Sequence, residues 1–574
     1  MLSMKELRPH EQLSAEGVLE DFDPHAGVAV FVTHQWTSRN HPDPDFQQFE
    51  VLQEVARRAS ERTLIIEKEP SGAILEGLAV DKQSSELYGF GAEYHIWYDF
   101  FAVPQLGLRQ STASVAALDG MPSGDFSKAV MSIPGYVERS KFFVVLAPDV
   151  SHSDTPDHVV GYASWKSRGW CRLEHMARVL SAGRAPILVA TRGDMLSQVG
   201  SKDYLLDPIG EGVFAEDDDR AMVAPLVTRL LDRKLGDLKR NGRFEEYRKL
   251  KSCETLILRG LPLESCERAE PAPAALDKCG DSVASFLGAY AFPTPPQAVA
   301  SESAQALLDE ALLRAAAAGD ASVVEGLLDR RANPEAEEPR DAPGFQLYEG
   351  QRALHHAARH GHEAAAAALL ARGAAVNIRD RSRSEGRGTP LGWAATNTSP
   401  GVLRLLLRSA ADIGADCGFG YVPLDMTLLF CRAGNLRELI AARADVNPVA
   451  LHTATFAGCG AEIVRVLLEA RSCPNQKVPY RWSSPLQVIL MALALPHRCC
   501  GKKGHLSAWA YHTHDAAPLH VAAMYARVEE ALELLRGGAR PDETNGRGAS
   551  AGDLAVAFRV QHSAVFKGRK KVSL

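Results

Sequence analysis

Residues 1–200 alternate nearly continuous apolar runs with amphipathic ones. GVAVFVTH (27–34), RTLIIEKE (62–69), YHIWYDFF (94–101), KFFVVLAP (141–148) and APILVA (185–190) are apolar on both faces of an extended chain. Strands written this way are buried on both sides and are usually parallel. FQQFEVLQEVARR (46–58), IPGYVERS (133–140) and CRLEHMARVLSAG (171–183) lie between or after them and carry a helical period. The alternation predicts a doubly wound α/β domain with a parallel sheet, whose ligands would sit at the carboxyl ends of the strands. Residues 217–262 are charged and helical in period. They predict a helical appendage over 211–266. ERAEPAPAALDK and FPTPPQAVA place proline throughout 267–302, which predicts a linker.

From about residue 303 the texture changes and a pattern recurs. ALLRAAAAGDASVVEGLLDRRANP (311–334) is followed by ALHHAARHGHEAAAAALLARGAAVN (353–377), TPLGWAATNTSPGVLRLLLRSAADI (389–413), ALHTATFAGCGAEIVRVLLEARSCPN (450–475) and APLHVAAMYARVEEALELLRGGARPD (517–542). VPLDMTLLFCRAGNLRELIAARADVN (422–447) is a degenerate copy, and GASAGDLAVAF (548–558) a truncated one. Small residues such as Ala357 and Ala358 let paired helices touch. Gly361, Gly434 and Gly458 are expected at the helix–helix turn, where positive φ is tolerated. Leu369/Leu370, Leu406/Leu407 and Leu467/Leu468 are expected to bury the second helix against its neighbour. No copy can bury that face alone, so the copies must stack. Inserts at 335–351, 379–388 and 494–515 are expected to project as loops.

This pattern resembles the ankyrin repeat family. The resemblance implies an all-α solenoid over 303–574 with about six to seven repeats, binding protein partners through its concave face and loops.

One short stretch before the repeats carries chemistry. RGWCRLEHM (168–176) places Trp170, Cys171 and Glu174 at the start of a helical run. VFVTHQWTSRNHPDPDFQQ ends the first strand, IWYDFFAVPQ a central one, and SIPGYVERSKFFVVLAPD forms a helix and the next strand. In this order the region over roughly 25–200 resembles the Toll/interleukin-1 receptor (TIR) domain. Arg168-Gly169-Trp170-Cys171-Arg172-Leu173-Glu174 matches that family's S-x-W-C-x-x-E-like motif. The resemblance implies a flavodoxin-like sheet over 1–210 and self-association. In the enzymatic members it implies cleavage of NAD at the nicotinamide–ribose bond, with Glu174 as the catalytic glutamate. A carboxylate beside the ribose would stabilise the oxocarbenium-like centre left by nicotinamide. His34, Trp36, Asp99, Phe100, Trp170 and Cys171 would line the pocket. A related sheet, that of nucleoside deoxyribosyltransferases, also sets a glutamate at a ribosyl centre.

A structural reading stands beside the catalytic one. Trp170 and Cys171 are apolar residues at a helix start, where most such residues are core. An acidic residue in a first helical turn is favoured by the helix dipole without any catalytic role. The expected function is therefore a signalling scaffold that binds protein partners and self-associates. The alternative is an NAD glycohydrolase regulated by the repeats, with NAD as substrate and no cofactor.

Composition narrows the setting. A chain of 574 residues exceeds one core. The net charge of −7 points away from nucleic acid. The stretch MLSMKELRPHEQLSAEG has no apolar centre, so no signal peptide is expected. No run reaches the ~18 apolar residues that cross a bilayer, so no membrane partner is expected. Ten scattered cysteines suit reduced thiols and a cytoplasmic location. HRCCGKKGHLSAWAYHTH gathers His497, Cys499, Cys500, His505, His512 and His514, all metal-type ligands, but lacks C-x-x-C. No metal site is expected there. GASAG matches the hydrolase elbow only in letters, because it falls in a repeat turn.

Overall fold

The structure is a computed structural model. It describes residues 1–574 except 24, 26, 69–86, 88–93, 106–123, 182–185, 200–204, 206, 263–281, 294–300, 343–344, 346, 382–387, 419, 479–484, 501–504, 561–562 and 569–574. The chain divides into two compact units. The first holds Met1–Leu230 with Ile489–Tyr511, and the second holds Leu231–Val488 with His512–Lys571.

Among the described residues, the first unit is built on a six-stranded sheet. Its strands are β1 (Val28–His34), β2 (Ile65–Lys68), β3 (Tyr94–Tyr98), β4 (Phe142–Leu146), β7 (Ile187–Arg192) and β8 (Met195–Val199). β5 (Val150–His152) and β6 (Thr155–Val160) form a separate antiparallel hairpin. The order across the sheet is β2-β8-β7-β4-β1-β3. β3, β1, β4 and β7 run parallel, and β1 lies between β3 and β4.

The sheet is mixed, which corrects the expectation of a parallel one. Only Gly193 and Asp194 separate β7 from β8. Two residues allow a hairpin turn and no crossover, so β8 runs antiparallel to β7. β2 pairs parallel with β8 at the sheet edge.

Side chains of β1 alternate between two covered faces. Val30 and Val32 join Phe142, Val144 and Leu146 in a core with Phe49, Leu52, Val55 and Ala59 of helix α1 (Gln47–Ser60). Phe31 points the other way and stacks on Trp97 and Phe143. Helices α2 (Ile133–Arg139) and α4 (Gly169–Leu180) pack together and against β1. Short helix α3 (Tyr162–Ser167) precedes α4. Buried Arg178 of α4 donates to the carbonyls of Ser140 at 2.9 Å and Lys141 at 2.8 Å. It thereby satisfies acceptors left open just past the end of α2.

The second unit is a stack of helix pairs. Successive first helices, Ser301–Ala318, Ala353–His360, Pro390–Ala395, Pro423–Leu429, Ala450–Ala457, Pro518–Met524 and Ala551–Ala557, each pack on the next. Ala450–Ala457 packs directly on Pro518–Met524, so the stack continues across the intervening segment. Helices Phe244–Ser252 and Glu254–Ile257 pack on the first helix of the stack.

Several local expectations are revised. In the segment expected as a linker, Ser282–Ala289 is a helix with Val283, Phe286 and Tyr290 buried nearby; residues 267–281 and 294–300 lie outside the described residues. The 335–351 insert packs inward. Leu347, Tyr348 and Gln351 are buried, and buried Glu338 pairs with buried Arg314. Most of 379–388 lies outside the described residues, but buried Asp380 accepts from Trp393 Nε1 at 2.7 Å. The 494–515 insert is helical over Pro485–Cys500 and His505–His512 rather than a loop. Gly361 and Gly458 do take positive φ, +79° and +72°. Gly434 lies inside helix Ala433–Ala441, and the turn falls on Cys431 with φ +57°. In each leucine pair the first residue is buried and the second half-buried, because neighbours on a helix point about 100° apart.

Candidate functional site

β1 ends on Thr33 and His34, and β3 ends next to Asp99. The parallel register pairs Val32 with Tyr98, which brings the two carboxyl ends together. Alternation along β1 sends Thr33 to the face covered by α4 and His34 to the opposite face.

On the α4 side, the Thr33 hydroxyl donates to the Glu174 carboxylate. The same hydroxyl accepts from Trp165 Nε1 of α3 at 3.0 Å. Thr33 and Trp165 are both buried, and Glu174 retains partial exposure. Burial is the largest influence on Glu174 and raises its carboxyl to about 8; the Thr33 hydrogen bond opposes this and nearby Asp99 reinforces it. At neutral pH Glu174 therefore holds its proton in most molecules.

On the other side, His34 Nε2 meets Asp99 Oδ1 at 2.8 Å. Its ring stacks on Tyr98, with centroids 4.1 Å apart. Trp36 Nε1 donates to Asp99 Oδ2 at 2.8 Å, and the Phe100 amide donates to Oδ1 at 2.6 Å. Burial pushes His34 down, but the charge and hydrogen bond of Asp99 outweigh it, and the imidazole ends above its ordinary value. Burial pushes Asp99 up, and the charge and hydrogen bond of His34 bring it below the usual range. Each partner thus favours the charged form of the other, and the Asp99 side chain stays 33% exposed.

Of the seven residues singled out in the sequence, the structure brings His34, Trp36, Asp99, Phe100, Cys171 and Glu174 into one cluster. Phe100 meets Trp36 edge-on, with ring centroids 6.1 Å apart. Cys171 Sγ donates to the His34 carbonyl at 3.8 Å, and burial raises its thiol well above the ordinary value. Cys171 therefore packs as a neutral thiol and is no nucleophile. Trp170 points its N–H to Asp219 at 2.9 Å, at the start of helix Asp219–Arg240.

One expectation changes. Helix α4 starts at Gly169, so Glu174 sits in its second turn and the first turn carries no acidic residue. The helix dipole acts within the first turn and gives no account of Glu174. Thr33 and Trp165 were not singled out, yet Thr33 donates to the carboxyl and Trp165 fixes Thr33. The signal for Thr33 was a hydroxyl closing an otherwise apolar, buried strand.

Elsewhere, no group of three or more His, Cys, Asp or Glu side chains gathers as a metal site among the described residues. None of their helices is long and apolar enough to cross a membrane. Ser550 of GASAG accepts from the Asp553 amide at 3.2 Å and caps helix Ala551–Ala557, as a repeat turn requires.

Residues 312–417 match the family model for ankyrin repeats, in three copies. The C-terminal half carries an ankyrin-repeat solenoid. The mouse protein "Neurogenic locus notch homolog protein 1" is 41% identical over 101 residues, 17% of this chain and 4% of that protein. The human protein of that name is 40% identical over the same length. The chain thus spans about 4% of the length of these relatives. The crystal structure of the human ASB11 ankyrin repeat domain is similar at 23% identity with a TM-score of 0.33, over 45% of this chain and 97% of that one. Ankyrin repeats mediate protein–protein interaction through the extended surface that stacked pairs present.

Proposed function

We propose that this chain is a protein-binding scaffold whose ankyrin repeats recruit a partner and whose TIR-like first unit self-associates. The observation that carries it is the uninterrupted stack of helix pairs from Ser301 to Ala557. The run of parallel strands β3-β1-β4-β7, with the first strand inside, supports a flavodoxin-like first unit. Sedimentation velocity on the full chain over a hundredfold concentration range tests self-association. Concentration-dependent oligomers support it; a monomer throughout overturns it.

The Glu174 cluster favours a second reading, NAD glycohydrolase activity. A half-buried carboxyl near 8, beside an ion pair at the carboxyl ends of parallel strands, has the perturbed titration typical of catalytic groups. Its carboxylate form would stabilise the ribosyl cation, so cleavage should rise with pH toward about 8. Nicotinamide release from NAD by the clustered full chain, beside Glu174→Gln, tests it. Release by the wild type alone supports the enzyme. Equal release, or none from folded protein, leaves the scaffold.

A further inference from the structure

The seven cysteines with described side chains fall into three environments. Cys171, Cys253 and Cys417 are buried, and Cys473 and Cys499 are exposed. Cys431 and Cys459 are half-buried and face each other, with their sulfurs 2.8 Å apart. Cys459 Sγ donates to the Leu428 carbonyl at 2.8 Å, and Cys431 Sγ reaches the same carbonyl at 4.0 Å.

The backbone explains why they meet. Cys431 occupies the left-handed turn after helix Pro423–Leu429, the place held by Gly361 and Gly458 in two other repeats. Cys459 stands one residue beyond that turn in the next repeat, at the start of helix Gly460–Glu469. Stacking of Pro423–Leu429 on Ala450–Ala457 superposes the two turns. A disulfide has S–S of about 2.05 Å, so bonding requires the sulfurs to close by roughly 0.8 Å.

We propose that Cys431 and Cys459 are an oxidation site, forming a reversible disulfide with peroxide that staples adjacent ankyrin repeats. Peroxide first oxidises one thiol to the sulfenic acid: its O–O bond breaks, an S–O bond forms and water leaves. The second sulfur then attacks the first; the S–S bond forms, the S–O bond breaks and a second water leaves. Two thiols and one peroxide thus give one disulfide and two waters. Thiols restore the pair by exchange. Half-burial admits small oxidants, which the three buried cysteines exclude. The bond closes a loop of 28 residues across one repeat junction. Repeats touch only their neighbours, so one stapled junction stiffens the array around it.

The test uses the full chain, reduced and then exposed to hydrogen peroxide. Remaining thiols are alkylated, the protein is digested without reductant, and peptides are read by mass spectrometry. The expected product links Cys431 to Cys459 and disappears with dithiothreitol. The repeat unit of the oxidised wild type should melt roughly 5–10 °C higher than the reduced form. That shift should vanish in both Cys431→Ser and Cys459→Ser. Alkylation of both thiols unchanged by peroxide overturns the proposal. So does linkage of either to Cys473 or Cys499, or a melting shift that survives in the two variants.

Discussion

His355 and His520 in the repeats and His34 in the first unit are all buried imidazoles, yet they titrate in opposite directions. His355 Nδ1 accepts from the Arg352 amide at 3.0 Å, and its Nε2 meets the Ile378 carbonyl at 3.2 Å. His520 repeats the arrangement with the Ala517 amide and the Glu543 carbonyl, both at 3.1 Å. Each ring joins the start of a helix to a distant turn as a neutral Nε2–H tautomer. Burial dominates, drives His355 to about 3 and lowers His520. His34 suffers the same burial, but it faces a carboxylate instead of two backbone groups. A buried imidazole held by the backbone is a structural pin. One held by a carboxylate binds its proton more tightly than a free imidazole does.

Four changes break or sharpen that contrast. The largest effect is expected from His355→Ala, which strips both backbone bonds and leaves a cavity. The repeat unit should lose about 2–4 kcal/mol in denaturant titration. A loss under 1 kcal/mol would mean that the ring is not a pin.

Next comes pH. His355 and His520 titrate below the unfolded value of about 6.5, so the unfolded chain takes up protons first on acidification. The repeat unit should lose stability as pH falls below about 6.5. Glu174 titrates above its unfolded value, from 4.5 to about 8. Its stability contribution is present in acid and lost as pH rises through that window, by on the order of 1 kcal/mol per pH unit at the steepest. Glu174→Gln should flatten the alkaline limb of the first unit and leave the acid limb of the repeats intact. Melting curves from pH 4 to 9 read both limbs.

Asp99→Asn removes the counter-charge while keeping the shape. His34 should then behave like His355 and titrate below 6.5, with a cost of about 1–2 kcal/mol to the first unit. The imidazole shift, followed by NMR, decides it; a His34 that still titrates high would refute the role given to Asp99. The smallest effect is expected from Thr33→Val, about 1 kcal/mol from the lost hydroxyl. Because the Thr33 bond holds the Glu174 carboxyl down, its loss should move the alkaline limb to higher pH.

The two regions were also unequally legible. The repeats recur, so Ala357, Leu369 and Leu406 could be read as core by comparing one copy with the next. The degenerate copy misled, because Gly434 stands only three residues beyond Cys431 and looks like the better turn residue. In the first unit β1 and β4 were plain as apolar runs. The β7–β8 hairpin was missed because β8, Met195–Val199, is short and only its first two residues are buried and apolar, so no apolar run marked a second strand after Gly193-Asp194. Glu174 was visible within its motif. Its partner Thr33 lies 141 positions away, and Trp165, which holds Thr33, shares no motif with it.

What the sequence determined by itself is local and periodic. Apolar runs make buried strands, a 3.6-residue period makes helices, and a recurring pattern of small and apolar residues makes repeats that must stack. Tertiary structure alone decided which polar groups were stranded together out of water. The direction in which His34, Asp99 and Glu174 titrate depends on parallel pairing of β1 with β3 and on α4 crossing the end of β1. Likewise, Cys431 and Cys459 meet only because two helix pairs stack. Electrostatics and thiol chemistry act over a few ångströms, and strand register and helix packing set those distances.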